Sequence, residues 1–387
     1  MHTLWHLSYF LTFTCFILFC LHYYIWARLV RALEFSRRWR GGLTWLLAFL
    51  GLMIPVGLFF SRYAPRPIAG PVMWVVYTWL GMAFFLTVFI ALSDTLRLAV
   101  TLPLKAMGKP IDPDRRRFLA LLSGGLVLLS DLGVSAVGFF GATAAALQVK
   151  RVRVTLNKLP KALEGYRIVQ ISDIHIGPIL GRDFLAEVVR QMNGLQPDLV
   201  AITGDLVDGT VDQLRDQTAP LKDLRAKDGI FFVTGNHEYY TGDVDEWLAW
   251  LSGIGIRPLR NERVLIRDGF ELAGTDDYSA RGGNHRQDIP KALEGRNPEK
   301  PVVLMAHQPR SFAEAASLGV DLQLAGHTHG GQIYPFNYVV GLFQPYLRGL
   351  YRKGSSQIYV SCGTGTWGPP MRLGAPAEIT EIELGRG

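Results

Sequence analysis

The sequence predicts an N-terminal region of four membrane-spanning helices followed by an α/β domain. Three observations carry that reading. Four stretches within the first 150 of the 387 residues are long, apolar and almost free of charge. From residue 166 onward, short apolar runs alternate with amphipathic stretches. Those apolar runs repeatedly end in aspartate, histidine or asparagine.

The spans come first. Residues 1–27 hold no Lys, Arg, Asp or Glu, and neither do 41–61, 67–93 or, Asp131 apart, 118–149. Each stretch supplies the roughly 20 residues a helix needs to cross about 30 Å of hydrocarbon. We place the spans at about 4–26, 43–61, 71–93 and 118–147, within a transmembrane region covering 1–149. An acid inside a span is expected to face other helices, so Asp131 should point inward.

Charge sets the expected orientation. Residues 1–150 carry 14 Lys and Arg against 5 Asp and Glu, whereas the remainder carries 26 against 28. The connection after the first span holds Arg28, Arg31, Arg37, Arg38 and Arg40, and the third holds Arg97, Lys105, Lys109, Arg115, Arg116 and Arg117. The second holds only Arg62 and Arg66. Positive loops stay in the cytoplasm, which puts the N-terminus and everything after the fourth span outside. Trp5, Tyr23, Tyr24, Trp26, Trp39 and Trp45 sit where an interfacial aromatic belt would.

The fourth span has two readings. Arg115-Arg116-Arg117 before an apolar run, with Ala142-Thr143-Ala144-Ala145-Ala146 after it, resembles a twin-arginine export signal with a small-residue cleavage site. We favour a retained helix, because such signals normally stand at the N-terminus. Both readings export the downstream domain.

Residues 150–165 read as an extended connection, and the α/β domain covers 166–387. Apolar runs at 166–172, 198–203, 230–234, 271–274, 302–306 and 322–325 predict strands. Amphipathic stretches at 181–193 and 243–252 predict helices. The last part, 356–384, is strand-like with Gly and Pro turns. Three cysteines, Cys15, Cys20 and Cys362, provide no disulfide framework, and Cys362 reads as a small buried side chain.

The polar residues fall into five blocks: Asp173-Ile174-His175, Gly204-Asp205, Gly235-Asn236-His237-Glu238, His307, and Gly326-His327-Thr328-His329. Of six histidines beyond residue 150, only His285 lies outside them. Asp173 and His175, like His327 and His329, repeat at i, i+2, a spacing that on a strand points both side chains to one face. Gly204 lets the backbone at Asp205 approach a metal closely. Carboxylate, imidazole and amide donors at several strand ends are what a site for two divalent metals requires, and they point to hydrolysis of a phosphate ester.

The five blocks resemble the calcineurin-like metallophosphoesterase superfamily, whose pattern D-x-H, G-D, G-N-H-[E/D], H, G-H-x-H is met without a substitution over about 165–384. The resemblance implies two packed mixed β-sheets flanked by helices. It implies that Asp173, His175 and His329 bind one metal, that Asn236, His307 and His327 bind the other, and that Asp205 bridges them. The metals would be Mn²⁺, Fe, Zn²⁺ or Ni²⁺, and their bridging hydroxide would attack phosphorus in line. His237 would stabilise the phosphoryl group or protonate the leaving alkoxide. Asp208 resembles the carboxylate that orients this histidine, or is a turn or helix-cap residue.

The anchored architecture, Gly330-Gly331-Gln332, and the segment Cys362–Arg372 are similar to a bacterial subgroup of transmembrane metallophosphoesterases, implying a multi-pass protein of the bacterial inner membrane. Arg372 is then either a group holding substrate phosphate or a plain surface arginine, and Asp276-Asp277 reads as a turn. The substrate class is a phosphodiester, phosphomonoester or pyrophosphate, of a lipid-linked or extracytoplasmic compound, with the lipid bilayer as the other partner. One alternative is a pyrophosphate hydrolase of UDP-2,3-diacylglucosamine type, a cytoplasmic reaction that conflicts with the orientation above. A nuclease is another, but a catalytic part with net charge −2 offers no footprint for long nucleic acid. A non-catalytic membrane sensor would have shown a missing ligand.

Overall fold

The computed structural model describes residues 2–61, 63–108, 112–281 and 284–387, with side chains described from residue 12 onward except those of Arg66 and Pro113. Expectations resting on Arg62, Lys109 and the side chains of Trp5 and Arg66 lie outside that set. The chain divides into two compact units, Met1–Val137 and Gly138–Gly387.

The first unit is helical: α1 (His2–Trp26), α2 (Arg37–Phe60), α3 (Arg66–Ala106) and α4 (Pro113–Gly141), whose last turn belongs to the second unit. Four helical stretches are long and apolar enough to cross a membrane: Thr12–Arg31, which runs from α1 into the turn after it, Arg37–Phe60, Pro67–Ala106 and Asp114–Gly141. At 41 residues α3 is about 60 Å long, twice the hydrocarbon thickness. Arg97 and Lys105, expected in a connecting loop, therefore lie on this helix, because leucine, alanine and threonine carry helical propensity beyond the apolar core. Arg28 and Arg31 likewise lie on a π-helical turn, Ala27–Arg31, that prolongs α1.

Ile25, Ala83, Leu86, Ile90 and Val127 form the buried core of this unit. Two polar links join α1 to α3. Asp94 accepts from Tyr24 Oη at 2.7 Å and pairs with Arg28 Nε at 2.8 Å, and Trp79 Nε1 donates to His22 Nε2 at 2.9 Å. Asp131 is buried, and its Oδ1 has no hydrogen-bond partner among the described residues.

The second unit alternates strands and helices. In chain order these are β1 (Gln148–Leu156), β2 (Tyr166–Ile171), α5 (Arg182–Gly194), β3 (Leu199–Thr203), α6 (Val211–Thr218), β4 (Ile230–Val233), α7 (Asn236–Tyr240), α8 (Val244–Gly253), β5 (Ile256–Pro258), β6 (Glu262–Ile266), β7 (Phe270–Gly274), α9 (Ile289–Ala292), β8 (Val302–Met305), α10 (Phe312–Ser317), β9 (Leu322–Ala325), α11 (Phe336–Phe343), β10 (Gly349–Lys353), β11 (Ser356–Val360) and β12 (Glu378–Arg386). They form two six-stranded mixed sheets, ordered β1-β12-β2-β3-β4-β5 and β10-β11-β9-β8-β7-β6. Within the first sheet β2 to β5 run parallel, and β12 inserts antiparallel to β2 and parallel to β1.

The alternation of side chains along each strand divides the core into layers. Ile168, Leu199, Ala201, Phe231 and Val233 point between the sheets and meet Leu272, Val303, Met305, Leu322 and Leu324 of the second sheet. Val169, Ile171, Val200, Ile202 and Phe232 point the other way, onto Leu185 and Val188 of α5, Leu214 of α6, and Trp247 and Leu251 of α8. The outer face of the second sheet is covered by Ala292 of α9 and by Ala315 and Phe312 of α10. The result is the expected pair of mixed sheets flanked by helices.

Of the stretch 150–165, expected to be an extended connection, residues 150–156 belong to β1, and a 3-10 turn, Lys161–Leu163, follows. Residues 148–156 pair with β12 along nine positions, Gln148 opposite Glu378 through Leu156 opposite Arg386.

Candidate metal centre

The residues of the five blocks converge at the carboxyl ends of the strands, where an open α/β sheet places its ligands. Asp173 and His175 follow β2, Asp205 follows β3, Asn236 and His237 open α7 after β4, His307 follows β8, and His327 and His329 follow β9. The i, i+2 pairs do not share a strand face as expected. Neither pair lies on a strand: Asp173, His175, Asp205, His327 and His329 all have positive φ, between 51° and 71°. Left-handed backbone costs a residue with a side chain about 1–3 kcal/mol, and it persists only where the surroundings enforce it.

Here the loops enforce one another. Asp173 N donates to Gly204 O at 3.0 Å, His175 N to Asp205 O at 3.1 Å and Ile176 N to Leu206 O at 2.9 Å. His327 N donates to both oxygens of Asp173, at 2.9 and 3.0 Å. Gly204 has φ +86°, and a Cβ there would stand 2.7 Å from His307 Nδ1. A Cβ on Gly326 would collide with Ser172 Oγ and Asp173 Oδ2, so the glycine is needed for the close passage of two loops.

The ring nitrogens and carboxylate oxygens form three groups, each with its atoms within 4.8 Å of one another: Asp173, His175 and His329; Asp205, His307 and His327; and His175, Asp208 and His237. The first two hold the expected metal ligands. Asp205 Oδ2 stands between them, 3.1 Å from His307 Nε2 and 3.9 Å from His175 Nε2. His175 Nε2 faces His329 Nε2 at 3.0 Å, and His329 Nε2 lies 3.5 Å from Asp173 Oδ1. His307 fixes its other nitrogen on Thr203 O at 2.7 Å. Asn236 Oδ1 is buried without a hydrogen-bond partner among the described residues. Orphaned atoms of this kind are costly unless something outside the chain meets them. The donor set, imidazole with carboxylate and amide oxygen, fits divalent cations of borderline hardness.

Asp208 anchors two imidazoles at once. Its Oδ1 accepts from His175 Nδ1 at 2.9 Å and from His237 Nδ1 at 2.7 Å. The group is not a helix cap, and it leaves His237 Nε2 facing away from the carboxylate. His237 sits edge-on to the exposed Trp367 and beside the exposed Tyr240, with ring centroids 6.1 and 5.0 Å away.

The electrostatics follow from burial among charges. Burial pulls the His237 imidazole down, but Asp205, Asp208 and Glu238 outweigh it and raise it to about 9. Burial opposes ionisation of Asp208 too, yet His175 and His237 hold its carboxyl well below the usual range. His327, buried and beside cationic His307, is lowered to about 3. Burial and neighbouring Asp205 push the Glu238 carboxyl up to about 7.

The sequence pattern contained Glu238 without showing its task. Its Oε2 accepts from Gly235 N at 2.6 Å and Asp205 N at 3.0 Å, and Oε1 accepts from Leu206 N at 2.8 Å. It thereby holds the turn that presents Asp205. The legible signal was a glutamate three residues into a helix after Gly235, where a side chain reaches back to the first N–H.

Arg372 is not a surface arginine. It is 2% exposed, donates from Nε to Gly365 O at 2.8 Å and from Nη1 to Ala375 O at 2.9 Å, and sets Nη2 3.3 Å from His329 Nδ1. Its hydrogen-bonding capacity is used within the loop, which places it behind His329 rather than free for a phosphate. Asp277 does start a turn, with Ser279 N bonding its Oδ1 at 2.7 Å, but both carboxylates are buried. Asp276 takes a bidentate pair from Arg260, and Asp277 accepts from Gln308 Nε2, next to His307.

The comparisons with known proteins agree with this geometry. Residues 166–331 match the family model described as calcineurin-like phosphoesterase. A Bos taurus protein named "Transmembrane protein with metallophosphoesterase domain" is 40% identical over 326 residues, covering 80% of this chain and 73% of its own. The chain belongs to the calcineurin-like phosphoesterase family. A Danio rerio protein of the same name is 38% identical, covering 73% of this chain and 68% of its own. An uncharacterized metallophosphoesterase of Helicobacter pylori is 42% identical, covering 66% and 68%. This phosphoesterase is thus a hydrolase of phosphoric esters, in a family that generally uses a dinuclear divalent metal site. Its four apolar helices and transmembrane relatives make it a membrane protein.

Proposed function

We propose that the protein is a membrane-anchored dinuclear phosphoesterase, hydrolysing phosphodiester, phosphomonoester or pyrophosphate bonds of a lipid-linked or extracytoplasmic compound. The observation that carries the dinuclear reading is the placement of Asp205 Oδ2 between His175 Nε2 and His307 Nε2, with Asn236 Oδ1 left unsatisfied. Asp173, His175 and His329 would hold one ion, and Asn236, His307 and His327 the other, with Asp205 shared. Two divalent ions there would supply Lewis-acid polarisation of phosphoryl oxygen and acidify a water.

The chain's own residues do the rest. Asp208 fixes the tautomer of His237 by taking its Nδ1–H, so Nε2 can carry a proton to the leaving oxygen. The same carboxylate holds His175 by Nδ1 and turns Nε2 toward Asp205. Glu238 and Arg372 secure Asp205 and His329 from behind. Arg372 is a positioning residue here, not a substrate ligand.

The catalytic domain, 166–387 with β1 added from the preceding connection, is assigned to the outer face of a bacterial inner membrane on the distribution of arginine. The competing pyrophosphate hydrolase of a nucleotide-linked lipid needs the opposite side.

The testing experiment combines metal analysis with a substrate panel of bis-p-nitrophenyl phosphate, p-nitrophenyl phosphate and a UDP-diacylglucosamine under each of Mn²⁺, Fe²⁺ and Zn²⁺. Asp205→Asn is expected to lose metal and activity together while its melting curve stays cooperative. Two ions at full occupancy in an active Asp205→Asn protein overturn the assignment.

A further inference from the structure

The second unit carries a surface that its own fold does not explain. From Gly330 to Leu347 the sequence contains no Asp, Glu, Lys, Arg or His. Inside that run lies α11, none of whose side chains is buried. Leu342 is 80% exposed, Phe343 66% and Tyr338 65%. Tyr334 and Trp367 add further exposed aromatic surface, and Trp367 is the ring that stands beside His237. Exposed apolar surface grouped in this way marks an interaction site.

Its position identifies the partner. Tyr334 N donates to Leu373 O at 2.8 Å and Leu373 N to Gln332 O at 2.9 Å, which roots the segment on the strip around Arg372. The N–H of Arg372 donates at 2.8 Å to the carbonyl of Gly138, in the last turn of α4. The close contact is enforced, since a Cβ on Gly141 would stand 2.5 Å from Arg372 O. The uncharged segment therefore shares its base with Gly138–Gly141, the end of a stretch, 114–141, that is long and apolar enough to cross a membrane. The apolar phase within reach of that point is the bilayer. Tyrosine, tryptophan, leucine and phenylalanine without charge are the residues that settle at its interface.

We propose that α11, with Tyr338, Leu342 and Phe343, docks into the interfacial layer of the membrane, and that the site takes phosphoesters carried on a membrane-resident lipid. The proposal rests on the phosphoesterase reading and names its substrate class. His329 and Trp367 lie at the two ends of this surface: Gln332, three residues after His329, accepts from Trp367 N at 2.9 Å through its amide oxygen. Docking α11 brings the metal centre to the headgroup layer, so a phosphate anchored there reaches it without leaving the bilayer.

The test uses the full chain in phosphatidylcholine vesicles and two arms. In the first, Cys15 and Cys20 are replaced by serine, buried Cys362 is kept, and a fluorophore is attached at Leu342→Cys. Lipids with a spin label near the headgroup are expected to quench it, while a label at Leu265→Cys on β6, also exposed, is quenched only by aqueous iodide.

The second arm compares hexadecyl p-nitrophenyl phosphate in vesicles with methyl p-nitrophenyl phosphate in water, two esters with the same scissile bond. Wild type is expected to prefer the anchored ester roughly tenfold in kcat/KM, and a Leu342→Ser/Phe343→Ser protein to lose that preference while keeping the methyl ester rate. Equal iodide quenching at 342 and 265, or an anchored-ester preference that survives the double substitution, overturns the proposal. So does a concentration-dependent oligomer that only the wild type forms, which gives the surface to a second copy. If neither ester is cleaved with any metal, the phosphoesterase reading fails, and the quenching arm still decides docking.

Discussion

A single carboxylate holds much of this centre's chemistry. Asp208 binds His175 and His237 through one oxygen, so a ring proposed to hold metal and the ring proposed to serve the leaving group share one anchor. His237→Ala is expected to keep its metals and to lower kcat by roughly 10²–10⁴ for alkoxide leaving groups. The loss should shrink for p-nitrophenolate, which leaves without a proton. An equal loss for both would remove the acid role and leave phosphoryl stabilisation. The pH profile gives a second reading. His237 is raised to about 9, so its proton is present below that value and lost above it. Asp208→Asn takes away a negative charge that favours the imidazolium, so the alkaline limb of kcat should move to lower pH. A limb that stays in place in Asp208→Asn assigns it to another group. Every proposed ligand was legible in the sequence, because phosphoester chemistry needs particular donor atoms and the residues that supply them are few. Glu238 and Arg372 were not legible in role, since their partners are backbone atoms of other loops.

At the scale of elements, the proposed ligands are presented by loops rather than strands. Spacing at i, i+2 was informative about which residues belong together, but for a different reason from the one it offered. Asp173, His175, His327 and His329 have left-handed backbone, held by hydrogen bonds between loops and, around His327 and His329, within the loop itself. The apolar runs gave β2, β3, β4, β7, β8 and β9 almost to the residue, because strands buried on both faces are continuous in valine, isoleucine and leucine. Short β5 and β6, and half-exposed β10, lack such runs and left no comparable signal. The passage between the loops is tight enough to test. Gly326→Ala should displace Asp173, destabilise the domain by about 1–3 kcal/mol and weaken metal binding together. Thermal melting with and without added Mn²⁺ measures both, and a variant with unchanged melting and metal content would show that the loops can move apart freely.

The whole molecule joins a basic helical region to a near-neutral catalytic one, and the arginines set the expected side of the membrane. Alkaline phosphatase fused after residue 150 should be active and a fluorescent protein fused there dark. The reverse result moves the centre to the cytoplasm and favours the nucleotide-lipid pyrophosphatase. Retention of the fourth span is checked by an alkaline carbonate wash, which should leave the catalytic domain in the pellet. Its release would mean cleavage near Ala142–Ala146. Charge counts and apolar lengths made the spans visible from sequence, but not that α3 would run on to Ala106.

The parallel pairing of β1 with β12 imposes an order on folding. Arg151 on β1 meets Glu381 on β12 across 230 positions of sequence, and β12 lies between β1 and β2. While the chain is being made, β2, β3 and β4 can associate as soon as they emerge, whereas β1 must wait beside an open edge until β12 arrives. Closure of so long a loop is slow, and an open edge is a template for wrong partners. A ribosome stalled before residue 378 would therefore hold a nascent domain with its proposed metal ligands already synthesised and its first sheet still split, a state in which quality control, rather than catalysis, decides the outcome.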